Sequence, residues 1–367
     1  MIAIRPKAHN RRPRPGPLAA LVVTSLVAVI GTVSYYWPSG NATGGSPGSV
    51  DPVGSVDARR DGLGTVNGSA SPTADGNRST APTPAHRGSK VGVAAGDLRI
   101  TSWVYQLQDY PHGRLDMLAR SPHSLAVIDL ARDASSDFFR RDEIERLHRS
   151  GKRVLAYFEI GSIEDFRPEY SRLRKDNRDL ILNRWVDWPQ EYFVRYWEER
   201  WWDQVVRPRV DQALRAGFDG AYLDTPLAYE EIDLALVPGL DRSALARAMV
   251  RLIQRISRYA KARQPHFWVF PQNSPELRNY PGYTTAIDGI GMEELFYLAT
   301  DLPCTEDFCA ENLQNARALR RAGKLVLAVD YAQRPRNIKA ACARYAKEGF
   351  VGYVTVRDLD RISPSCS

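Results

Sequence analysis

From Leu98 to the C-terminus, eight short apolar runs recur with helical patterns between them, and this rhythm restricts the fold more than any other feature. The runs are 102–108 (SWVYQLQ), 125–130 (LAVIDL), 153–160 (RVLAYFEI), 218–224 (FDGAYLD), 267–272 (FWVFPQ), 287–293 (IDGIGME), 325–331 (LVLAVDY) and 350–357 (FVGYVTVR). Parallel strands covered on both faces read as continuous apolar runs rather than as alternation. Gly151, Gly217, Gly323 and Gly349 each stand just before a run, where a helix would stop. The clearest helical pattern places Leu245, Met249, Leu252, Ile253 and Ile256 on one face, with Arg247, Arg251 and Arg255 elsewhere. Eight strand–helix units in about 270 residues match the ~250 residues typical of a (β/α)₈ barrel. The spacing therefore predicts an α/β fold, a TIM barrel over residues 97–367. A doubly wound open sheet is the alternative, but no Gly-x-Gly-x-x-Gly follows the first run.

The segments before it differ in kind. Residues 18–37 form an uncharged apolar stretch ending Tyr35-Tyr36-Trp37, preceded by a basic segment, residues 1–17. A bilayer core needs about 20 such residues in a helix. Basic residues in front keep the start cytoplasmic, and aromatics suit the far interface. The stretch is expected to be an uncleaved membrane anchor; a cleaved signal peptide is the rival, without a clear Ala-x-Ala site after it. Residues 38–96, rich in Gly, Ser, Pro and Thr, hold almost no large apolar side chain and are expected to be a disordered tether. An extracytoplasmic, membrane-tethered domain follows.

The net charge of +7 invites a nucleic-acid reading. Its location argues otherwise, because Arg5, Lys7, Arg11, Arg12 and Arg14 precede the apolar stretch and the remainder is nearly neutral. Cys304, Cys309, Cys342 and Cys366 contain no Cys-x-x-Cys pair, and the six histidines are scattered, so no metal site is expected. In an exported chain Cys304 pairs best with Cys309, which leaves Cys342 for Cys366.

Chemistry is expected at the carboxyl ends of barrel strands, which converge on one mouth. The stretch Gly217-Phe-Asp-Gly-Ala-Tyr-Leu-Asp-Thr-Pro226 illustrates it: a helix stop, a buried run, then Asp224 where Pro226 forbids further pairing. Asp129, Glu159, Glu293 with Glu294, and Asp330 end other runs. Crowded carboxylates raise the pKa of at least one member, and a carboxylic acid facing a carboxylate is the apparatus of glycoside hydrolysis. Aromatic rings stack on sugar faces. Trp185 and Trp188, near Pro189, fit that use, whereas Trp197, Trp201 and Trp202 fit helix packing. A Gly-x-Ser-x-Gly elbow, a His-Glu-x-x-His motif and a phosphate loop are all missing.

The segments WVYQLQ, VLAYFEIGSIED, GFDGAYLDTPLAYE and IDGIGMEELFY resemble glycoside hydrolase family 114 over roughly residues 100 to 357. The resemblance implies a (β/α)₈ barrel with endo-α-1,4-polygalactosaminidase activity. It implies catalytic carboxylates at the ends of the fourth and sixth strands, here Asp224 and Glu293, with Glu294 one residue away. It also implies a cleft lined by acidic positions that match Asp129 and Glu159. Tyr105, Tyr222, Glu294 and Asp330 complete the expected substrate contacts.

The expected protein is a monomeric hydrolase of an α-linked amino-sugar polysaccharide, without a cofactor. A non-catalytic carbohydrate-binding barrel and a glycosidase of neutral α-galactosides are the alternatives.

Overall fold

The computed structural model describes residues 100–367. The basic N-terminus, the expected anchor and the tether all lie outside the described residues. Among the described residues, no helix is long and apolar enough to cross a membrane.

All eight expected strands form. They are β1 (Trp103–Tyr105), β2 (Leu125–Asp129), β3 (Arg153–Glu159), β4 (Gly220–Asp224), β5 (Trp268–Pro271), β6 (Gly289–Glu293), β7 (Leu325–Tyr331) and β8 (Val351–Thr355). Every ladder between them is parallel, in the order β1-β2-β3-β4-β5 and then β6-β7-β8. A parallel bridge from Gln272 to Gly291 joins β5 to β6. At the other seam, Leu107 N donates to Leu359 O at 2.9 Å. Side chains from distant strands meet inside: the Trp103 ring lies 5.8 Å from Tyr353 and 6.3 Å from Tyr222. Rings on β1, β4 and β8 can meet only if the sheet closes on itself.

The interior is aromatic where barrels more often hold branched aliphatics. Tyr105 lies 5.2 Å from Tyr222 and 6.2 Å from Tyr157, ring centroid to ring centroid. Such bulk needs space opposite, and Gly291 supplies it, because a Cβ there would meet the Tyr222 hydroxyl at 1.9 Å. The interior thus alternates large and small side chains to remain close-packed.

The helices follow from local chemistry. The helix Arg242–Lys261 starts where the Asp241 side chain accepts from Ala244 N at 2.6 Å, and the residues of its predicted apolar face are buried. The helix Arg207–Ala216 stops at Gly217, whose φ of 84° is open to a residue without a side chain. Trp201 and Trp202 are buried, and Trp201 Nε1 donates to Ile160 O at 2.9 Å, so both serve packing.

Two features depart from a plain repeat. Ser162–Glu164, Ile181–Arg184 and Glu191–Val194 form a small antiparallel sheet after β3. Beyond β8 the chain forms no helix; its tail is held by a Cys342–Cys366 disulfide and by Ser363 N donating to Tyr353 Oη at 2.8 Å. The other disulfide joins Cys304 to Cys309. Both expected pairs are present.

Candidate active site

The strand register brings the two expected carboxylates to one edge of the sheet. Glu159 on β3 pairs with Asp224 on β4, and Glu293 on β6 pairs with Val329 on β7. Only β5 separates Asp224 from Glu293. Side chains two residues earlier on a strand point into the same interior. Tyrosine rings fill the barrel, and two of their hydroxyls, those of Tyr157 and Tyr331, reach the carboxylates.

Tyr157 Oη donates to Asp224 Oδ2, and Thr225 N donates to Oδ1 at 2.6 Å. Tyr331 Oη donates to Glu293 Oε1. Gln272 Nε2 donates to Glu293 Oε2, as does Asn273 Nδ2 at 3.0 Å. Burial, with the nearby Glu293 charge adding to it, pushes the Asp224 carboxyl up to about 7. At Glu293 burial also pushes upward, while the donated hydrogen bonds of Tyr331 and Gln272 push down. Asp224 is thus the member of the pair that holds a proton toward neutral pH.

Backbone strain concentrates at these strand ends. Thr225, Asn273, Ser274 and Glu294 all have φ between 50° and 60°. A β-branched residue such as Thr225 seldom adopts that region. It is held there by hydrogen bonds to its Oγ1 from Gly161 N at 3.2 Å and Ser162 Oγ at 2.8 Å. The turn aims its amide at Asp224. At Glu294 the same turn takes the chain out of β6, and its Oε1 accepts from Ala299 N at 2.7 Å. Strain of this kind gathers at functional sites, where the surroundings enforce it.

Above the pair opens a cleft of about 280 Å³. Glu293, Glu294, Asp187, Glu230 and Glu276 line it, with Arg357 for the opposite charge. Trp185, Trp188 and Phe308 supply aromatic wall. The Arg357 guanidinium sits 4.8 Å over the Trp188 ring. Tyr229 Oη donates between Glu230 and Glu276, and burial raises both of these carboxyls, Glu230 to about 7.

Asp224 lies beneath this cleft, with no exposed surface. Five residues expected to touch substrate are also interior. Asp129 and Glu159 are taken up by arginines from the segment after β3 and from the helix Arg207–Ala216. Arg167 donates to Asp129 Oδ2 at 2.9 Å, to Glu159 Oε1 at 2.7 Å and to Glu164 Oε2 at 2.8 Å, while Arg209 donates to Glu159 Oε2 at 2.7 Å. Tyr105 and Tyr222 belong to the aromatic interior. Asp330 accepts from Phe296 N and Tyr297 N, both at 3.1 Å, and so fixes the loop after β6.

Sequence reasoning missed Tyr157, Gln272, Asn273, Tyr331, Glu230 and Glu276. Tyr157 carried a signal: Tyr157-x-Glu159, like Tyr222-x-Asp224, has the period of one strand face. Among the described residues, no group of three or more His, Cys, Asp or Glu is placed to hold a metal ion.

Burial of Asp224 predicts a pH signature. Its folded-state pKa, about 7, exceeds the ~3.9 of an unfolded aspartate. The stabilisation it gives is therefore fully present below pH ~4 and is lost as pH rises through 7. Asp224→Asn removes that loss, so its melting temperature should exceed wild type at pH 8, by an amount on the order of a few kcal/mol in stability. The difference should vanish toward pH 4. An offset that does not change with pH would contradict the assignment.

A closed parallel barrel with paired carboxylates beneath an aromatic-walled cleft at its carboxyl edge is the architecture of a barrel glycosidase. The chain belongs to glycoside hydrolase family GH114, whose family model matches residues 80–367. An uncharacterised protein of Deinococcus radiodurans is 30% identical over 264 residues, covering 72% of this chain and 82% of that protein. The glycoside hydrolase domain of PelA from Pseudomonas aeruginosa superposes with a TM-score of 0.57 at 17% identity, covering 73% of this chain and 99% of that one. Ega3 of Aspergillus fumigatus, solved in complex with galactosamine, gives 0.55 at 17% identity, covering 74% and 98%. These two likenesses concern the fold.

Proposed function

We propose that this glycoside hydrolase cleaves an α-linked amino-sugar polysaccharide of the polygalactosamine type, with Asp224 and Glu293 dividing the proton-donating and the nucleophile or base roles. The observation that carries the reading is the pair of buried carboxyls at the ends of β4 and β6, each gripped by a phenol and by amides at an acidic cleft. One member can hold a proton while the other is ionised, as cleavage of a glycosidic bond requires. A polymer with free amines is cationic, and the acidic lining of the cleft attracts it. Trp185 and Trp188 offer faces on which sugar rings stack. The galactosamine bound to Ega3 supports the same sugar here. The domain is proposed to work outside the cytoplasmic membrane, tethered through residues 18–37, and both disulfides suit such a compartment.

A reducing-end assay over α-galactosamine, N-acetylgalactosamine and neutral α-galactoside polymers tests the reading. Hydrolysis should be fastest on the de-N-acetylated polymer and should weaken as salt screens the cleft, whose attraction extends about 10 Å at 0.1 M. Preference for the neutral galactoside would overturn the substrate class.

A further inference from the structure

Gln272 does not resemble a strand residue with a structural duty alone. Its side chain is wholly buried at the end of β5, between the strands that carry the two carboxylates. Its backbone is pinned on both sides: Gln272 N donates to Leu223 O at 2.8 Å on β4, and Asn273 N donates to Gly291 O at 2.7 Å on β6. Its carboxamide has one acceptor and one donor end, and a half-turn would exchange them. Tyr105 Oη, rising from β1 across the barrel, donates to Oε1 at 3.0 Å. That leaves Nε2 facing Glu293 Oε2.

We infer that Tyr105 and Gln272 form a positioning relay that presents an N–H, and never a carbonyl, to Glu293 and so sets its proton affinity from inside the barrel. The inference rests on the reading of Glu293 as catalytic. The relay spans the barrel because the Gln272 side chain, just past β5, bonds Tyr105 of β1 at one end and Glu293 of β6 at the other. A donated hydrogen bond favours the ionised carboxylate, so losing it raises the pKa of Glu293. Other groups act on the same carboxyl: Asn273 Nδ2, which donates to the same Oε2 at 3.0 Å, Asp224 and Tyr222 from β4, Tyr331 from β7, and the adjoining Glu294. Glu230, Glu276, Asp187 and Arg357 face the same cleft. Neither substitution removes any of these groups, so the relay can be tested apart from them.

The test is the pH profile of kcat/KM for the full chain on α-galactosamine polymer. Gln272→Met keeps bulk but removes the donor; Tyr105→Phe removes one oxygen and frees the carboxamide to turn. Both variants should move to higher pH the limb that Glu293→Asp also moves, by about one unit, the effect of one modest hydrogen bond on a carboxyl. The KM should stay within about twofold, because neither side chain reaches the cleft. If Gln272→Met fails to fold, Tyr105→Phe decides alone. Profiles that superimpose on wild type, with Glu293→Gln inactive, would overturn the relay and leave the catalytic reading standing. Full activity in Glu293→Gln would remove the catalytic reading, and the relay with it.

Discussion

Asp224→Asn and Glu293→Gln should each abolish most turnover on α-galactosamine polymer while leaving the barrel folded. Both replacements are nearly isosteric, and both keep a group able to meet the surrounding donors. At position 224 the amide oxygen accepts from Thr225 N while Tyr157 Oη turns to accept from the new NH2, and at position 293 the oxygen faces Gln272 and Asn273 while Tyr331 Oη accepts. What vanishes is the capacity to exchange a proton or to carry charge. Positioned acid–base catalysis contributes typically ~10²–10⁴-fold, and the loss should be at least of that order. Glu294→Gln should be far milder. Its neighbour Glu293 receives the donors from β5 and β7, whereas Glu294 has turned into the loop toward Ala299. Loss in Glu294→Gln with near-normal rates in Glu293→Gln would move the role by one residue.

The second large effect concerns stability. Arg167→Leu should destabilise the domain by about 3–5 kcal/mol, because it leaves buried carboxyls without their partner. Asp129, Glu159 and Glu164 all lean on this one guanidinium, and Arg209 reaches only Glu159 among them. Burial raises Asp129 and Glu164 even with the arginine present, and Glu159 stays low through Arg167 and Arg209 together. In a domain of this size the change corresponds to a fall of roughly 10 °C in melting temperature. Asp129→Asn should be much milder, since it removes one buried charge and keeps the shape. A melting temperature for Arg167→Leu within a degree or two of wild type would mean the cluster holds nothing together.

The barrel was legible because burial on both faces leaves a plain mark. Runs such as VLAYFEI and LVLAVDY have no polar alternation to confuse them with a half-exposed strand. The ends of β4 and β6 were legible because Asp224 and Glu293 close such runs. The fate of Asp129 and Glu159 was not. Arg167 and Arg209 come from later segments, and no local pattern tells a carboxylate awaiting sugar from one already paired. The antiparallel sheet after β3 was hidden by short strands of mixed composition, Ile181–Arg184 and Glu191–Val194. Gln272 was hidden for another reason. An amide at a strand end carries no chemical mark until Tyr105 on one side and Glu293 on the other are seen to hold it.

This pair of carboxyls is proposed to split a glycosidic bond with water. Wild-type protein acting on α-galactosamine polymer in ¹⁸O-labelled water, followed by mass spectrometry of the products, measures it directly. One labelled oxygen should enter each new reducing end as it forms, and with Glu293→Gln or Asp224→Asn no shortened, labelled products should appear beyond the slow exchange of existing reducing ends. A polymer that binds but keeps its length and stays unlabelled would contradict the claim and leave a carbohydrate-binding barrel in its place.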